Sequence, residues 1–143
     1  MDAARAWATP ILIVEDDPLI GEVLMLRLES AGYRATWVKD GAAALTRVGE
    51  VKPKLVVLDL GLGLPVVDGF QVLTILRRNA LYRDLPIIVL TARHSAEDVK
   101  KAVTLGASDY LGKPFDAEVL QRRIERLLKP PAQKPVQQSP RLI

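Results

Sequence analysis

Residues 55–70 read LVVLDLGLGLPVVDGF. Four apolar residues, Leu55–Leu58, run straight into a carboxylate, Asp59, and then into a loop studded with glycine. A strand that is apolar along its whole length is buried on both faces, as in a parallel sheet. Asp59 therefore stands where such a strand opens onto the rim of the sheet. The loop beyond it leaves room beside that carboxylate.

The same alternation of apolar run and helical pattern extends in both directions. ILIV (Ile11–Val14) predicts a buried strand. Asp17-Pro18 then reads as N-cap and first helical residue, and Ile20, Val23, Leu24 and Leu28 form one helical face that ends before Gly32. RATWV is the second strand, at the sheet edge, with a small Ala-rich helix from Gly41 to Val48 after it. KLVVL is the third, followed by a helix from Gly69 to Arg78 that turns Phe70, Leu73 and Leu76 inward. PIIVL is the fourth, and the helix Ser95–Leu105 buries Val99, Ala102 and Val103 and stops at Gly106. DYL is a short fifth strand. The last helix, Asp116–Lys129, aligns Leu120, Ile124, Leu127 and Leu128. Five strand–helix pairs with short links predict a parallel sheet covered by helices on both sides, an α/β fold.

The expected organisation is an N-terminal tail over 1–9, one domain over 10–129, and a tail or linker start over 130–143. The last segment, KPPAQKPVQQSPRLI from Lys129 onward, is rich in Pro and Gln. At 143 residues and 49% hydrophobic content the chain supports one sizeable core. It has no cysteine, which excludes disulfides and thiolate chemistry and suits a reducing cytoplasm. No apolar run reaches the ~18 residues of a membrane span. The net charge of +3 is concentrated near the C-terminus in Arg122, Arg123, Arg126, Lys129, Lys134 and Arg141. That cluster reads as a solvated helix face and linker, with no direct nucleic-acid binding by this chain.

Ligands of open α/β sheets bind beyond the carboxyl ends of the strands. There the sequence places Glu15, Asp16 and Asp17 after the first strand, Asp59 after the third, Thr91 after the fourth and Lys113-Pro114 after the fifth. Taken singly these are ordinary: a turn acid, a turn cap, a loop hydroxyl, a surface cation. Asp17 is well explained as a helix cap and stays outside the site. Together, several carboxylates at one sheet end repel unless a cation neutralises them. Oxygen donors without His or Cys suit Mg²⁺, a metal that commonly takes a phosphate partner. Lys113 and Thr91 supply a charge and a hydroxyl for a phosphoryl group, and Asp59 would be the nucleophile for phosphorus.

The segments ILIVEDDP, LVVLDL…LPVVDGF, PIIVLTA and GASDYLGKPF closely resemble the receiver domain of two-component response regulators, from about Ile11 to Lys129. The resemblance implies a CheY-like, flavodoxin-like, doubly wound (βα)5 domain with strand order 2-1-3-4-5. It implies a phosphorylation-activated switch and not an enzyme in its own right. Asp59 accepts the phosphoryl group from a sensor histidine kinase or histidine phosphotransfer protein. Asp16 ligates Mg²⁺ directly, Glu15 acts mainly through water, and the Gly61 carbonyl also ligates. Lys113 pairs with the acceptor or the phosphoryl oxygens, and the Lys113-Pro114 bond is cis. Thr91 and Tyr110 form the switch pair, and the fourth helix, fifth strand and fifth helix form the output face. The positions flanking the path of a hydrolytic water are Gly61 and Arg93.

Two departures from the family pattern stand out. The loop from Asp59 to Pro65 is two residues longer than the commonest form, as if Gly-Leu were duplicated. Asp109 and Arg123 match one charged pair of the winged-helix regulators' dimer face, while Val99 and Val119 stand where another would be. A monomer or a weak phosphorylation-dependent homodimer is expected. The alternative reading is a Mg²⁺-dependent phosphatase with an Asp nucleophile. Such enzymes carry a second Asp two residues after the nucleophile, and Gly61 occupies that position here.

Overall fold

In the computed structural model, which describes residues 8–62 and 67–129, strands and helices alternate along the chain. They are β1 (Pro10–Val14), α1 (Pro18–Ser30), β2 (Arg34–Val38), α2 (Gly41–Val51), β3 (Leu55–Leu58), α3 (Gly69–Arg78), β4 (Ile87–Thr91), α4 (Ala96–Leu105), β5 (Asp109–Gly112) and α5 (Ala117–Leu128). All pairings are parallel and the order is β2-β1-β3-β4-β5, the expected flavodoxin-like topology. The switch point lies between β1 and β3, so the carboxyl ends of these two strands open onto one crevice.

Strand alternation divides the core in two. Leu12, Val14, Val56, Leu58, Ile87 and Val89 face α2, α3 and α4. Ile11, Ile13, Leu55, Val57, Ile88 and Leu90 face α1 and α5. Every residue of β3 and β4 is buried. The apolar runs are thus double-sided, which is why the polar residues that end them project only at the rim.

The helix caps are where the sequence puts them. The Asp17 carboxylate accepts from the Leu19 and Ile20 amides, and Pro18 opens α1. Asp68 and Gln71 form a reciprocal capping box on α3. Ser95 caps α4 and Gly106, at φ 109°, ends it in the left-handed region. Gly69 has a packing role that spacing does not reveal: a β-carbon there would overlap the carbonyl oxygen of Asp59 and the Cα of Leu60. The absence of a side chain lets α3 start directly against the backbone of the strand end.

Four expectations are corrected. Val23 is 46% and Val103 59% exposed, so neither belongs to the core. Both lie on the margin of an apolar helical stripe, where the 3.6-residue period alone does not separate core from solvent. Val99 is only half-buried. The second helix runs three residues past Val48, to Val51, and ends with Lys52 at φ 51°. A 3₁₀ turn, Ala80–Tyr82, also follows α3. The expectations for the N-terminal residues 1–7, for Gly63, Leu64 and Pro65, and for 130–143 lie outside the described residues. Among the described residues no helix is long and apolar enough to cross a membrane.

Candidate functional site

Glu15, Asp59 and Thr91 are polar side chains buried at the carboxyl edge of the sheet, at 2%, 5% and 0% exposure. They stand at the ends of β1, β3 and β4. The Asp59 amide donates to the Val14 carbonyl and the Glu15 amide to the Val38 carbonyl, continuing the ladders one step past the strands. Glu15, Asp59 and the exposed Asp16 each offer a carboxylate oxygen, all within 4.8 Å of one another. Asp17 is not among them, in keeping with its cap.

Lys113 enters this acidic crevice from the end of β5. Its ammonium lies 2.8 Å from Glu15 Oε1, 3.0 Å from Glu15 Oε2 and 3.1 Å from Asp59 Oδ2. Its amide donates to the Thr91 carbonyl, and the Lys113-Pro114 peptide is cis. The other oxygen of Asp59, Oδ1, accepts from the Gly61 amide at 2.9 Å. Leu62 is buried, so the first part of the loop folds down onto the core.

Burial, reinforced by the negative charge of Asp59 and only partly offset by Lys113, pushes the Glu15 carboxyl up to about 7. Burial also works against the charged form of Lys113. The hydrogen bonds and charges of Glu15 and Asp59 outweigh it and hold the ammonium above its ordinary range.

Thr91 Oγ1 accepts from the Arg93 amide at 3.1 Å. Tyr110 packs against the core on the α3–α4 side, and its hydroxyl is buried with no hydrogen-bond partner among the described residues. Burial raises the pKa of this phenol, with Asp98 adding to the effect. Arg93 pairs with Asp98 at 3.2 Å, and its guanidinium lies 5.1 Å from the Phe70 ring centroid. Its aliphatic stem passes Gly61, so a β-carbon on Gly61 would sit 3.9 Å from Arg93 Cγ and Cδ.

The structure thus brings together Glu15, Asp16, Asp59 and Lys113, with Gly61 tethered to Asp59 and Thr91 at the end of the adjoining strand. One participant escaped the sequence reading. The Trp37 indole N–H donates to the Glu15 carbonyl at 2.8 Å. An aromatic residue on an edge strand reads as packing, and nothing in its spacing signals a bond to the next strand's end.

A doubly wound parallel sheet with a lysine-bridged carboxylate cluster at its switch point defines a class of α/β proteins built around an acidic crevice. The response regulator receiver domain family matches residues 11–125, and the chain belongs to that family. It is 40% identical over 119 residues to the DNA-binding dual master transcriptional regulator RpaA of Synechocystis, covering 83% of this chain and 48% of that one. The chain spans about half the length of the curated relatives it matches. Among solved structures, the chemotaxis protein CheY4 of Vibrio cholerae superposes with a TM-score of 0.77 at 29% identity, covering 85% of this chain and 99% of that one. The receiver domain of the sensor histidine kinase PA1611 from Pseudomonas aeruginosa, with a magnesium ion coordinated in its active-site cleft, matches with a TM-score of 0.76. Its identity is 36%, over 84% of this chain and 97% of that one. Receiver domains are signalling switches that work with histidine kinases, and nothing supports the phosphatase alternative.

Proposed function

We propose that this receiver domain, residues 10–129, is a cytoplasmic switch that takes a phosphoryl group onto Asp59 from a histidine kinase or histidine phosphotransfer protein. The observation that carries this reading is Lys113, whose ammonium bridges Glu15 and Asp59 while Asp16 stands within reach of both carboxylates. An Asp59 oxygen forms the new O–P bond as the P–N bond to the donor histidine breaks, and the imidazole nitrogen keeps the electron pair. Lys113, already directed at Asp59, and the Thr91 hydroxyl are the groups that would meet the added phosphoryl oxygens.

The donor set fits Mg²⁺: hard carboxylate oxygens, without thiolate or imidazole. Asp16 and Asp59 would hold it directly, Glu15 through water, and the Gly61 carbonyl would complete the protein's share. When bound, the ion supplies positive charge to the phosphoryl oxygens.

The donor's docking face is α1, which starts immediately after the acidic turn. Leu19, Val23 and Leu26 are 72%, 46% and 67% exposed, and their spacing of four and three residues puts them on one face. An apolar stripe beside the crevice mouth suits the helical surface of a histidine-bearing partner.

Switching would link Asp59 to Thr91 and Tyr110 and so to the face formed by α4, β5 and α5, because the phosphoryl group binds one arrangement of these groups better than the other. On that face Asp109 is engaged within the chain, at 2.9 Å from Arg123 and 3.1 Å from Arg126. Its charge is already satisfied, which supports a monomer or a weak phosphorylation-dependent homodimer.

The test is intact-mass measurement after incubation with acetyl phosphate and Mg²⁺. One added phosphoryl group is expected, and none in Asp59→Asn. An adduct that persists in Asp59→Asn would overturn the assignment.

A further inference from the structure

Resting on the reading of Glu15 and Asp16 as the metal-binding pair, we infer that Trp37 is a positioning residue for that pair, acting through the backbone of Glu15. Both backbone polar groups of Glu15 are held by β2: its amide donates to the Val38 carbonyl at 3.1 Å, and its carbonyl accepts the Trp37 indole N–H at 2.8 Å. The Glu15 carbonyl lies in the same rigid plane as the Asp16 amide. A bond that fixes this carbonyl therefore fixes the plane from which Asp16 projects. Asp16 is exposed, and its carboxylate lies within 4.8 Å of those of Glu15 and Asp59.

The indole is itself held in place. On one side α1 presents Gly21, where a β-carbon would overlap the indole Cε2 and Cζ2 atoms. Lys39 Nζ lies 5.3 Å from the ring centroid. Alanine at position 21 would suit a helix interior better than glycine, so the glycine there serves the indole's approach. Trp37 also packs against the core on the α1–α5 side, and a purely structural role would end there. The bond to the Glu15 carbonyl goes further, because it reaches the turn that carries the chemistry.

The test is a Mg²⁺ titration of the full ¹⁵N-labelled chain by NMR, with melting temperatures measured in parallel. In the parent, Mg²⁺ should shift the Trp37 indole N–H signal together with the Asp16 amide; its loss in Trp37→Phe distinguishes it from Trp7. Trp37→Phe keeps an aromatic ring and removes the donor, so Mg²⁺ should bind about five-fold more weakly, the worth of one neutral hydrogen bond. Gly21→Ala should weaken Mg²⁺ binding similarly by displacing the indole. Combined with Trp37→Phe it should cost little more, because both variants break the same bond. Lower melting temperatures with unchanged Mg²⁺ affinity in both single variants would overturn the inference and leave Trp37 a packing residue. A parent chain with no Mg²⁺ response would overturn the metal-site reading, and this inference with it.

Discussion

Lys113 Nζ lies 3.1 Å from Asp59 Oδ2, although 54 residues separate the two in sequence. The parallel order β3-β4-β5 and the bond from the Lys113 amide to the Thr91 carbonyl bring the lysine back across β4's end. With both carboxylates buried, this ammonium is the cation that Glu15 and Asp59 share. Lys113→Ala should therefore lower stability by about 3 kcal/mol at pH 8, the scale of breaking a buried ion pair. The loss should shrink at pH 5, where Glu15 takes a proton instead. It should also strongly reduce phosphorylation by acetyl phosphate. Urea denaturation and intact mass report the two effects, and a variant as stable as the parent at pH 8 would refute the shared-cation assignment.

Glu15 gives the pH dependence a sign. Its carboxyl rises from an ordinary 4.5 to about 7 in the folded protein. The folded state then holds this proton more tightly than the unfolded chain. Its contribution to stability is fully present below about 4.5 and is lost as pH climbs through about 7. The amplitude is at most ~3 kcal/mol. Lys113 stays charged across this window, because its own pKa is raised. In EDTA, the parent should lose stability between pH 4.5 and 7 relative to Glu15→Gln, which cannot titrate. Parallel urea-stability profiles for the two proteins would show that Glu15 does not carry the effect.

The rim of the sheet was readable because apolar strands leave no doubt about where they stop. Ile11–Val14 and Leu55–Leu58 are buried throughout, so Glu15 and Asp59 had to emerge together at the switch point once the strands were parallel. Asp17 was separable from its neighbours because Pro18 follows it. Tyr110 and Gly61, by contrast, stand out only through the family resemblance, since neither an aromatic in a short strand nor a loop glycine signals a role by itself. Trp37 and Gly69 were unreadable for another reason. Each matters through one contact with a distant backbone, to Glu15 and to Asp59, and such contacts leave no periodicity. Val23 and Val103 mark the opposite error: apolar residues at helical spacing that face solvent.

Exposed Val23 turns that error into a prediction. If the Leu19–Val23–Leu26 stripe receives the phosphodonor, Leu26→Glu should slow transfer from a phosphorylated histidine partner by about tenfold or more, the effect of losing one central apolar anchor. Labelling by acetyl phosphate should not change, because a small donor needs no docking face. Stability should also hold, since Leu26 is 67% exposed. Equal slowing with both donors would place the defect in the crevice instead of on the helix.

If Asp59 carries the phosphoryl group as proposed, Arg93 should govern how long it survives. Hydrolysis requires a water in line with the Asp59–phosphorus bond, and Gly61 has no side chain to hold one. The Arg93 stem runs along Gly61, while its guanidinium is anchored to Asp98 and lies over Phe70. Lys101 Nζ also lies over the same ring, 4.2 Å from its centroid. A cation so placed attracts phosphoryl oxygens while its methylenes cover the approach. Arg93→Ala should therefore shorten the acylphosphate lifetime several-fold, followed by intact mass after removal of the phosphodonor. Asp98→Ala frees the guanidinium without removing the stem. Its decay should stay near the parent's if the methylenes provide the cover, and should approach that of Arg93→Ala if the anchored geometry is required. Decay that is unchanged or slower in Arg93→Ala would remove Arg93 from the control of hydrolysis altogether.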